Sequence, residues 1–409
     1  MPATYTSERP AFTFTKVETG ISIDDHYLAR RIPQGTSEPS LFGDLADLND
    51  LIYGHGTPTK LEDWIYTDKP ALSLHVVTFT DATIVTLTWS HTLLDAMSRR
   101  LLQKAWTAVL EGREEDVPAF QGFDEDPIEK LDGRTPAEGH ILYDSIMRGF
   151  GFFMFVFYMI LETVWWPKQS NRVIFLPDNY VKEMRAQALL ELRSNGEADD
   201  FVSDGDIIFA WLARTTVKAL GTSPSIPVNL NNVMNMRGAV DDVLPPDQVY
   251  IGNATMNAQT FITAGELVEQ PLSRTALRIR KSLVASRTPE NIQAQIALVK
   301  QEQSISGRSP LFGPPNQLML SLSNWSRAGF ADQDFSAAVV KQGIPLDERA
   351  EKLGRPSFVG ATGHENGFSV RNAGPCYGRD ARGDWWLGWA LRDEAWKVFE
   401  EEIGRMRKG

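Results

Sequence analysis

Two residues whose side chains can move protons lie four positions apart, between a β-branched stretch and a predicted helix. They are His91 and Asp95, at the two ends of the segment His-Thr-Leu-Leu-Asp. An imidazole titrates near neutral pH, so His91 could accept a proton from a reacting group and return it in a later step. This residue type in this position indicates general base chemistry at His91.

The same spacing also has a purely structural interpretation. A histidine near a strand end is often a structural residue. Asp95 directly precedes the helix predicted from Ala96, and an aspartate there can accept hydrogen bonds from the free N–H groups of the first helical turn. The pair by itself therefore leaves the catalytic and the structural interpretations open.

Further segments follow in a fixed order along the chain, and together they narrow the choice. They are the helix start Ser203-x-x-Asp206, residues 233–237 ending in Arg237, the stretch Tyr250-Ile251-Gly252-Asn253, residues 321–325, and the triplet Asp334-Phe335-Ser336. No single motif is specific. Their ordered co-occurrence, from about Ala71 to Trp385-Trp386-Leu387, resembles the BAHD acyltransferases, in particular a fungal branch that acylates secondary metabolites.

The resemblance implies a role for each motif residue. His91 would deprotonate the acceptor hydroxyl or amine, which then attacks the thioester of acyl-CoA. Asp95 would pair with Arg237 and hold the loop that aims His91, because a buried carboxylate needs a cation. Asp334 would support the site structurally. Acyl-CoA would act as co-substrate without any tightly bound cofactor, and the acceptor would be a small, hydroxylated, mostly apolar natural product.

Three departures from the family pattern keep alternatives open. The glycine that usually follows the motif aspartate is Ala96, and the family's Asp-Phe-Gly-Trp-Gly is reduced to Asp-Phe in residues 334–338. Residues 11–15 already resemble a later segment of the family, so the chain is short at its N-terminus, naturally or by abbreviation. One alternative is condensation or cyclisation by proton transfer at His91 on the same scaffold. Another is a degenerate member that only binds small molecules.

Two further groups of residues are candidates for binding. Ser323 and Asn324, just before Trp325, could donate hydrogen bonds to the oxyanion of a tetrahedral intermediate, or could form only a strand-end turn. Arg274, Arg278 and Lys281 share one face of a predicted helix in residues 271–289. They could attract the phosphates of CoA, or could form an ordinary solvated face.

The elements that must position these residues follow from hydrophobic patterning. Alternating β-branched segments between residues 71 and 89 predict two strands, and apolar residues at helical spacing predict a helix over 96–110. Strand-like and helical segments then alternate to the C-terminus. We expect an α/β (α+β) chain with the two-domain chloramphenicol-acetyltransferase-like fold, mixed sheets and an active-site channel at the domain interface. The expected division is an N-terminal domain at 1–135, a linker with a hydrophobic segment at 136–169, and a C-terminal domain at 170–409.

The most hydrophobic stretch, residues 149–166, lies inside this predicted linker region. It is shorter than the roughly 20 apolar residues that a spanning helix needs. We expect a buried or pocket-lining helix first, shallow membrane or partner contact second, and a true membrane span last.

Composition excludes several classes of function. The chain has 409 residues, with 41 basic and 53 acidic side chains and a net charge of -12, which argues against general affinity for nucleic acid or for anionic membrane surfaces. A single cysteine and six scattered histidines predict neither a disulfide nor a metal site. Met1–Tyr5 lacks the basic start and apolar run of a signal peptide. We therefore expect a soluble, cytoplasmic monomer.

Overall fold

The computed structural model describes residues 5–197, 199–340, 352–363 and 371–408. Residues 1–4 of the N-terminal stretch that bears on the signal-peptide prediction lie outside this range. In the described part, the strands in chain order are β1 (Phe12–Glu18), β2 (Ser40–Phe42), β3 (Leu72–Thr78), β4 (Thr83–Trp89), β5 (Ala119–Phe120), β6 (Gln169–Leu176), β7 (Pro227–Asn235), β8 (Gln248–Val249), β9 (Thr255–Thr263), β10 (Leu318–Asn324), β11 (Ala373–Arg379) and β12 (Trp385–Arg392).

Helices lie between and after these strands. In the same ranges they are α1 (Asn49–Ile52), α2 (Glu62–Ile65), α3 (Ala96–Leu110), α4 (Phe150–Trp165), α5 (Asp178–Ser194), α6 (Asp204–Leu220), α7 (Ala264–Glu269), α8 (Leu272–Ser286), α9 (Pro289–Ser306) and α10 (Trp396–Met406). The strands predicted between residues 71 and 89 are present as β3 and β4, and the helix predicted over 96–110 is present as α3.

The strands form one large and two small sheets. The large sheet has the order β2-β6-β12-β11-β10-β7-β9 and combines parallel with antiparallel pairs. A three-stranded sheet has the order β1-β3-β4, and β5 pairs with β8. This mixed α/β architecture confirms the predicted fold class. Strand β2 lies in the predicted N-terminal domain but pairs with β6, and the predicted domain boundaries stay a prediction.

The main core lies where α6 packs on the large sheet. Nearly every side chain of α6 from Asp206 to Val217 is buried. A capping box begins this helix, in which the Ser203 hydroxyl accepts from the backbone of Asp206 and the Asp206 carboxylate accepts from the backbone of Ser203. Gly221 ends it with φ of 61°, a left-handed conformation that glycine adopts without strain. The capped helix gives the large sheet a rigid backing.

Helix α4 corrects a prediction. The hydrophobic segment does form a helix, but Phe155 is its single buried residue. Phe150, Phe153 and Trp165 are 78%, 69% and 73% exposed, so the expectation of a buried or pocket-lining helix is wrong. Near the two ends of the helix, Arg308 lies over the ring of Phe152 and Arg392 over that of Trp166, which directly follows the helix. None of the helices in the described ranges combines the length and the apolar run that crossing a bilayer requires.

Candidate active site

His91 lies in a tight loop between β4 and α3. The Leu93 N–H donates to the Ser90 carbonyl at 2.9 Å, which closes a turn with His91 at its second position. The indole N–H of Trp89 donates to the Leu94 carbonyl at 3.0 Å and fixes the far side of the loop. The His91 side chain is exposed, so a substrate can reach it.

Asp95 ends this loop and begins α3 as its N-cap. Its Oδ1 accepts from the Ser98 N–H at 2.8 Å, and its Oδ2 accepts from the Ala254 N–H at 2.9 Å. The same Oδ2 accepts from Arg237 Nη1 at 2.9 Å, in an ion pair whose two side chains are 3% and 14% exposed. Both oxygens of Asp95 therefore have donors other than His91, which supports the predicted structural role; that role stays a prediction.

Strand pairing brings Arg237 to Asp95 from far along the chain. Arg237 follows β7, and the Met236 N–H donates to the Ala254 carbonyl just before β9 begins. The guanidinium then has five acceptors. Nη1 donates to Asp95 and to Asn235 Oδ1. Nη2 donates to Ser98 Oγ at 2.8 Å, to the Gly252 carbonyl at 3.1 Å and to the Tyr250 carbonyl at 3.3 Å. This network joins the start of α3 to the segment between β7 and β9.

Ser98 is the centre of that junction, and sequence reasoning missed it. Its hydroxyl is buried, accepts from Arg237 and from the Gly252 N–H at 3.1 Å, and donates to the Gly252 carbonyl at 2.8 Å. A Cβ at Gly252 would lie 2.5 Å from Cζ of the Tyr250 ring, so a larger residue there would have to displace that ring. The sequence feature that could have revealed Ser98 is its place as the third residue of a predicted helix, where a hydroxyl can bind neighbouring backbone groups.

Asn253 fixes the backbone of His91 itself. Its Nδ2 donates to the His91 carbonyl at 2.8 Å and lies 3.4 Å from the Thr92 carbonyl. Asn253 therefore binds the first half of the loop, at the carbonyls of His91 and Thr92. Asp95 binds its last residues to the start of α3 and to Ala254. The sequence contains Gly252-Asn253 within a motif, but only the fold assigns this contact to Asn253.

Asp334 stabilises a turn that packs on the same helix. Its Oδ1 accepts from the Ser336 N–H at 2.9 Å, and its Oδ2 lies 3.1 Å from Arg355. The hydrogen bonds from Ser336, aided by Arg355, lower the pKa of Asp334. The adjacent Phe335 ring packs edge-on against Trp106 of α3, with centroids 5.2 Å apart. These contacts anchor residues 334–336 to the helix that begins beside His91.

The two oxyanion candidates differ in what their side chains already do. The Ser323 Oγ accepts from the Trp325 indole at 2.8 Å, which leaves the hydroxyl proton available to a ligand. The Asn324 Oδ1 accepts from the Ser326 N–H at 2.9 Å, as in a strand-end turn. Its Nδ2 lies against the start of α6, where it would collide with a Cβ at Gly205. The structural interpretation therefore gains support for Asn324, and an oxyanion role for Ser323 stays a prediction.

The basic stripe of α8 is neutralised by carboxylates from other elements. Arg274 pairs with Glu197 at 2.5 Å, Arg278 with Glu266 at 2.9 Å, and Lys281 with Asp200 at 3.0 Å. The helix carries the three predicted cations on one face, but each already has a counter-ion. This arrangement favours the solvated, ion-paired face over a site for the phosphates of CoA.

Metal chemistry has no support in the described ranges, where no group of three or more His, Cys, Asp or Glu side chains could hold an ion. Chemically, the site can provide an accessible imidazole on a loop whose neighbouring carboxylate is neutralised by a guanidinium. That arrangement suits proton transfer at His91 with Asp95 and Arg237 as its support.

Comparison with known proteins gives this site a context. The family model described as "Transferase family" matches residues 57–338, which is more than half of the chain. The acetyltransferase adrJ of Penicillium rubens is 36% identical over 99% of this chain and 83% of its own length. A protein of Penicillium decumbens named transcriptional regulator calD is 33% identical over 98% of this chain and 82% of its own.

Solved structures share the fold at low sequence identity. TRI101 of F. sporotrichioides, crystallised with coenzyme A and T-2, superposes with a TM-score of 0.61 over 96% of this chain and 80% of its own. The two sequences are 16% identical, so this likeness concerns the fold alone.

Proposed function

The chain is an acyltransferase of the Transferase family, the BAHD acyltransferases, and on that basis we propose that it moves an acyl group from acyl-CoA to a secondary metabolite. The acyl group is acetyl or another short acyl, and the acceptor atom is a hydroxyl oxygen or an amine nitrogen. His91 acts as the general base. The observation that carries this proposal is the exposed His91 imidazole on a loop that Asp95, Arg237 and Asn253 hold from two sides.

The proposed reaction begins with a proton transfer at His91. The imidazole removes the proton of the acceptor group while its oxygen or nitrogen attacks the thioester carbon. The resulting tetrahedral intermediate collapses, the carbon–sulfur bond breaks, and the imidazolium returns the proton to the leaving thiolate. Ser323, whose hydroxyl proton is available, is the better of the two candidates for donating to the oxyanion. The ion pair of Asp95 and Arg237 keeps the loop in place throughout.

Acyl-CoA is the proposed donor and remains a co-substrate, not a bound cofactor. TRI101 crystallised with both coenzyme A and T-2, which supports a CoA donor and a small natural-product acceptor for a chain of the same fold. Arg274, Arg278 and Lys281 remain candidates for the CoA phosphates, but their ion pairs would have to open first. A cytoplasmic location and a monomeric state remain predictions.

One assay tests the main proposal. The protein is incubated with a panel of acyl-CoAs and hydroxylated acceptors, and free thiol release is followed together with product mass. We expect turnover to fall by roughly a hundredfold to ten-thousandfold in His91→Ala, which is the range that general base catalysis contributes. His55→Ala, at another exposed histidine, is the matched control and should keep full activity.

Other outcomes of that assay favour the alternatives. Full activity in His91→Ala would exclude His91 as the base. Product formation that depends on His91 but needs no acyl-CoA would support condensation or cyclisation. Ligand binding without turnover would support a degenerate binding member.

We also propose that α4 lies in the surface of a membrane, held there mainly by its exposed apolar side chains. At 1.5 Å per residue its 16 residues extend about 24 Å, less than the roughly 30 Å of a hydrocarbon core. Exposed aromatic rings occupy both ends, and the guanidinium groups of Arg308 and Arg392 lie beside them, 3.4 Å from Phe152 and 3.8 Å from Trp166. Tryptophan and arginine together are typical of the headgroup region, where the ring is buried and the cation meets lipid phosphate.

A further inference from the structure

Arg99 is a charged residue of α3 that the proposed mechanism does not use. It lies one helical turn after Asp95, and its guanidinium carbon is 4.0 Å from the centre of the Phe330 ring and 5.7 Å from that of Trp89. Trp89 ends β4 two residues before His91, and Phe330 belongs to the segment that follows β10. Arg99 therefore lies beside the loop that carries His91, where α3 meets the segment after the oxyanion candidates.

The guanidinium of Arg99 has no hydrogen-bond acceptor and no carboxylate among the residues that the structure describes. Its Nε is buried without a partner, and burial lowers its pKa to about 10 without any carboxylate to oppose the shift. The group is still a cation at neutral pH. Its neighbour Arg100 differs, because Arg100 Nη1 donates to the Arg327 carbonyl at 2.7 Å.

Arg99 is partly buried, and its Nε is fully buried without an acceptor. Desolvation of a charged group is costly unless a partner compensates it. Arg237, near the start of the same helix, differs because its two Nη atoms have five acceptors, although its Nε is also buried without one. The two aromatic rings near Arg99 interact with the face of its guanidinium. They leave the N–H groups along the edge of the plane without acceptors.

We propose that Arg99 binds a carboxylate group of the acceptor substrate. The edge of a guanidinium matches a carboxylate in a bidentate arrangement, and the aromatic rings would accommodate the apolar skeleton next to that group. The phosphates of CoA are separated from the thioester by the pantetheine arm, so a cation beside the His91 loop is badly placed for them. This inference rests on the proposed function, because it assigns an acceptor class to the same site.

A chemical-modification experiment tests the inference without requiring turnover. Phenylglyoxal modifies accessible arginines, and peptide mass spectrometry follows the rates at Arg99 and, as the internal control, at Arg100. The probes are 3-phenylpropionate, its uncharged amide, CoA and inorganic phosphate. At a concentration about ten times its Kd, 3-phenylpropionate should slow modification of Arg99 by about tenfold, while the amide at the same concentration has no effect and Arg100 reacts unchanged.

The other outcomes overturn the inference. Equal protection by the amide would mean that only the aromatic rings bind the probe. Protection by CoA or phosphate but not by the carboxylate would assign Arg99 to the donor. An Arg99 that no probe protects, or that never reacts while Arg100 does, would mean that it only links α3 to Phe330.

A second measurement separates this inference from the function on which it rests. In His91→Ala the turnover should be lost while protection of Arg99 by 3-phenylpropionate persists. Arg99→Met should raise the KM of a hydroxy acid acceptor by about tenfold and leave that of its methyl ester unchanged. Equal effects on acid and ester would overturn the inference, and calorimetry of CoA binding to the variant shows whether the donor site is intact.

Discussion

Asp95 is buried four residues from an exposed histidine, yet its hydrogen bonds lead away from that histidine. Each carboxylate oxygen accepts from the first turn of α3 or from the 235–254 segment. A charge buried in this way is tolerated because Arg237 neutralises it and three donors solvate it. Substitutions at His91 and at Asp95 should therefore have different effects, because His91 performs the proposed chemistry and Asp95 positions it.

Asp95→Asn should lower stability and activity together. The substitution removes the negative charge, leaves Arg237 without a counter-ion, and replaces one acceptor oxygen with a donor NH₂ group. We expect a loss of about 3 kcal/mol in the free energy of unfolding, the usual cost of breaking a buried ion pair on one side. Urea unfolding and the thiol-release assay measure the two effects.

His91→Ala is the matched control for that prediction, because it should abolish turnover and leave unfolding unchanged. The double variant Asp95→Asn/Arg237→Gln should recover part of the lost stability, since it removes the unpaired cation. Unchanged urea unfolding with lost activity in Asp95→Asn would instead assign Asp95 a direct chemical role.

At the scale of elements, α3 and α4 differ in how much of each helix is packed against the rest of the protein. Helix α3 has an N-cap, contacts the turn at residues 334–336, and carries the network around Ser98. Helix α4 is apolar around its whole circumference and mostly exposed. Large exposed apolar surfaces mark sites of protein or membrane contact, and this is the basis of the proposed membrane contact of α4.

Vesicle binding tests the proposed membrane contact of α4. The protein should sediment with vesicles of phosphatidylserine and phosphatidylcholine, and Trp165 fluorescence should shift to shorter wavelength as the ring leaves water. Phe153→Gln/Phe157→Gln should weaken binding by at least about tenfold, because each large apolar side chain contributes on the order of 1.5 kcal/mol or more when buried. Added salt should weaken it less, since most of the contact is apolar.

Tyr66→Gln is the matched control, because Tyr66 is 81% exposed and lies outside α4. Its vesicle binding should equal that of the unmodified protein. A protein that does not bind vesicles but forms a dimer dissociated by the α4 substitutions would show that a second copy covers the helix.

At the scale of the whole molecule, strand pairing and helix packing join distant parts of the chain. The large sheet contains strands from β2, near residue 40, to β12, near residue 390. The region between residues 127 and 146, predicted in part as linker, packs against α9 and buries Leu131 and Ala137. Within it, His140 is 6% exposed and stacks on Phe312 with ring centres 5.2 Å apart.

His140 should make stability depend on pH in a defined window. Burial lowers its pKa to about 4, so between pH 6.5 and 4 the unfolded chain binds a proton that the folded chain does not. Stability is therefore full above pH 6.5 and decreases as the pH falls towards 4. We expect a loss on the order of 2 kcal/mol from this group, measured by urea unfolding at a series of pH values.

His140→Gln should flatten that part of the pH profile, whereas His91→Ala, at an exposed histidine, should not. An unchanged slope in His140→Gln would mean that other groups produce the acid sensitivity.

The sequence by itself determined the features that depend on a few neighbouring residues. β-Branched alternation specified β3 and β4, and the helical spacing after the Asp95 cap specified α3. These succeed because strand periodicity and capping are local interactions. The order of motifs also led to the correct family and to the pairing of Asp95 with Arg237, through resemblance and not through any local rule.

The tertiary structure alone decided what depends on distant neighbours. Ser98 and Asn253 acquire their partners because β7 and β9 bring residues 235–254 against the start of α3. The cations of α8 meet carboxylates of other elements, and Arg99 meets none in the described residues. The apolar helix α4 has a sequence typical of a buried helix, yet it is exposed. Burial and charge neutralisation are properties of what packs against a residue, so no local pattern could specify them.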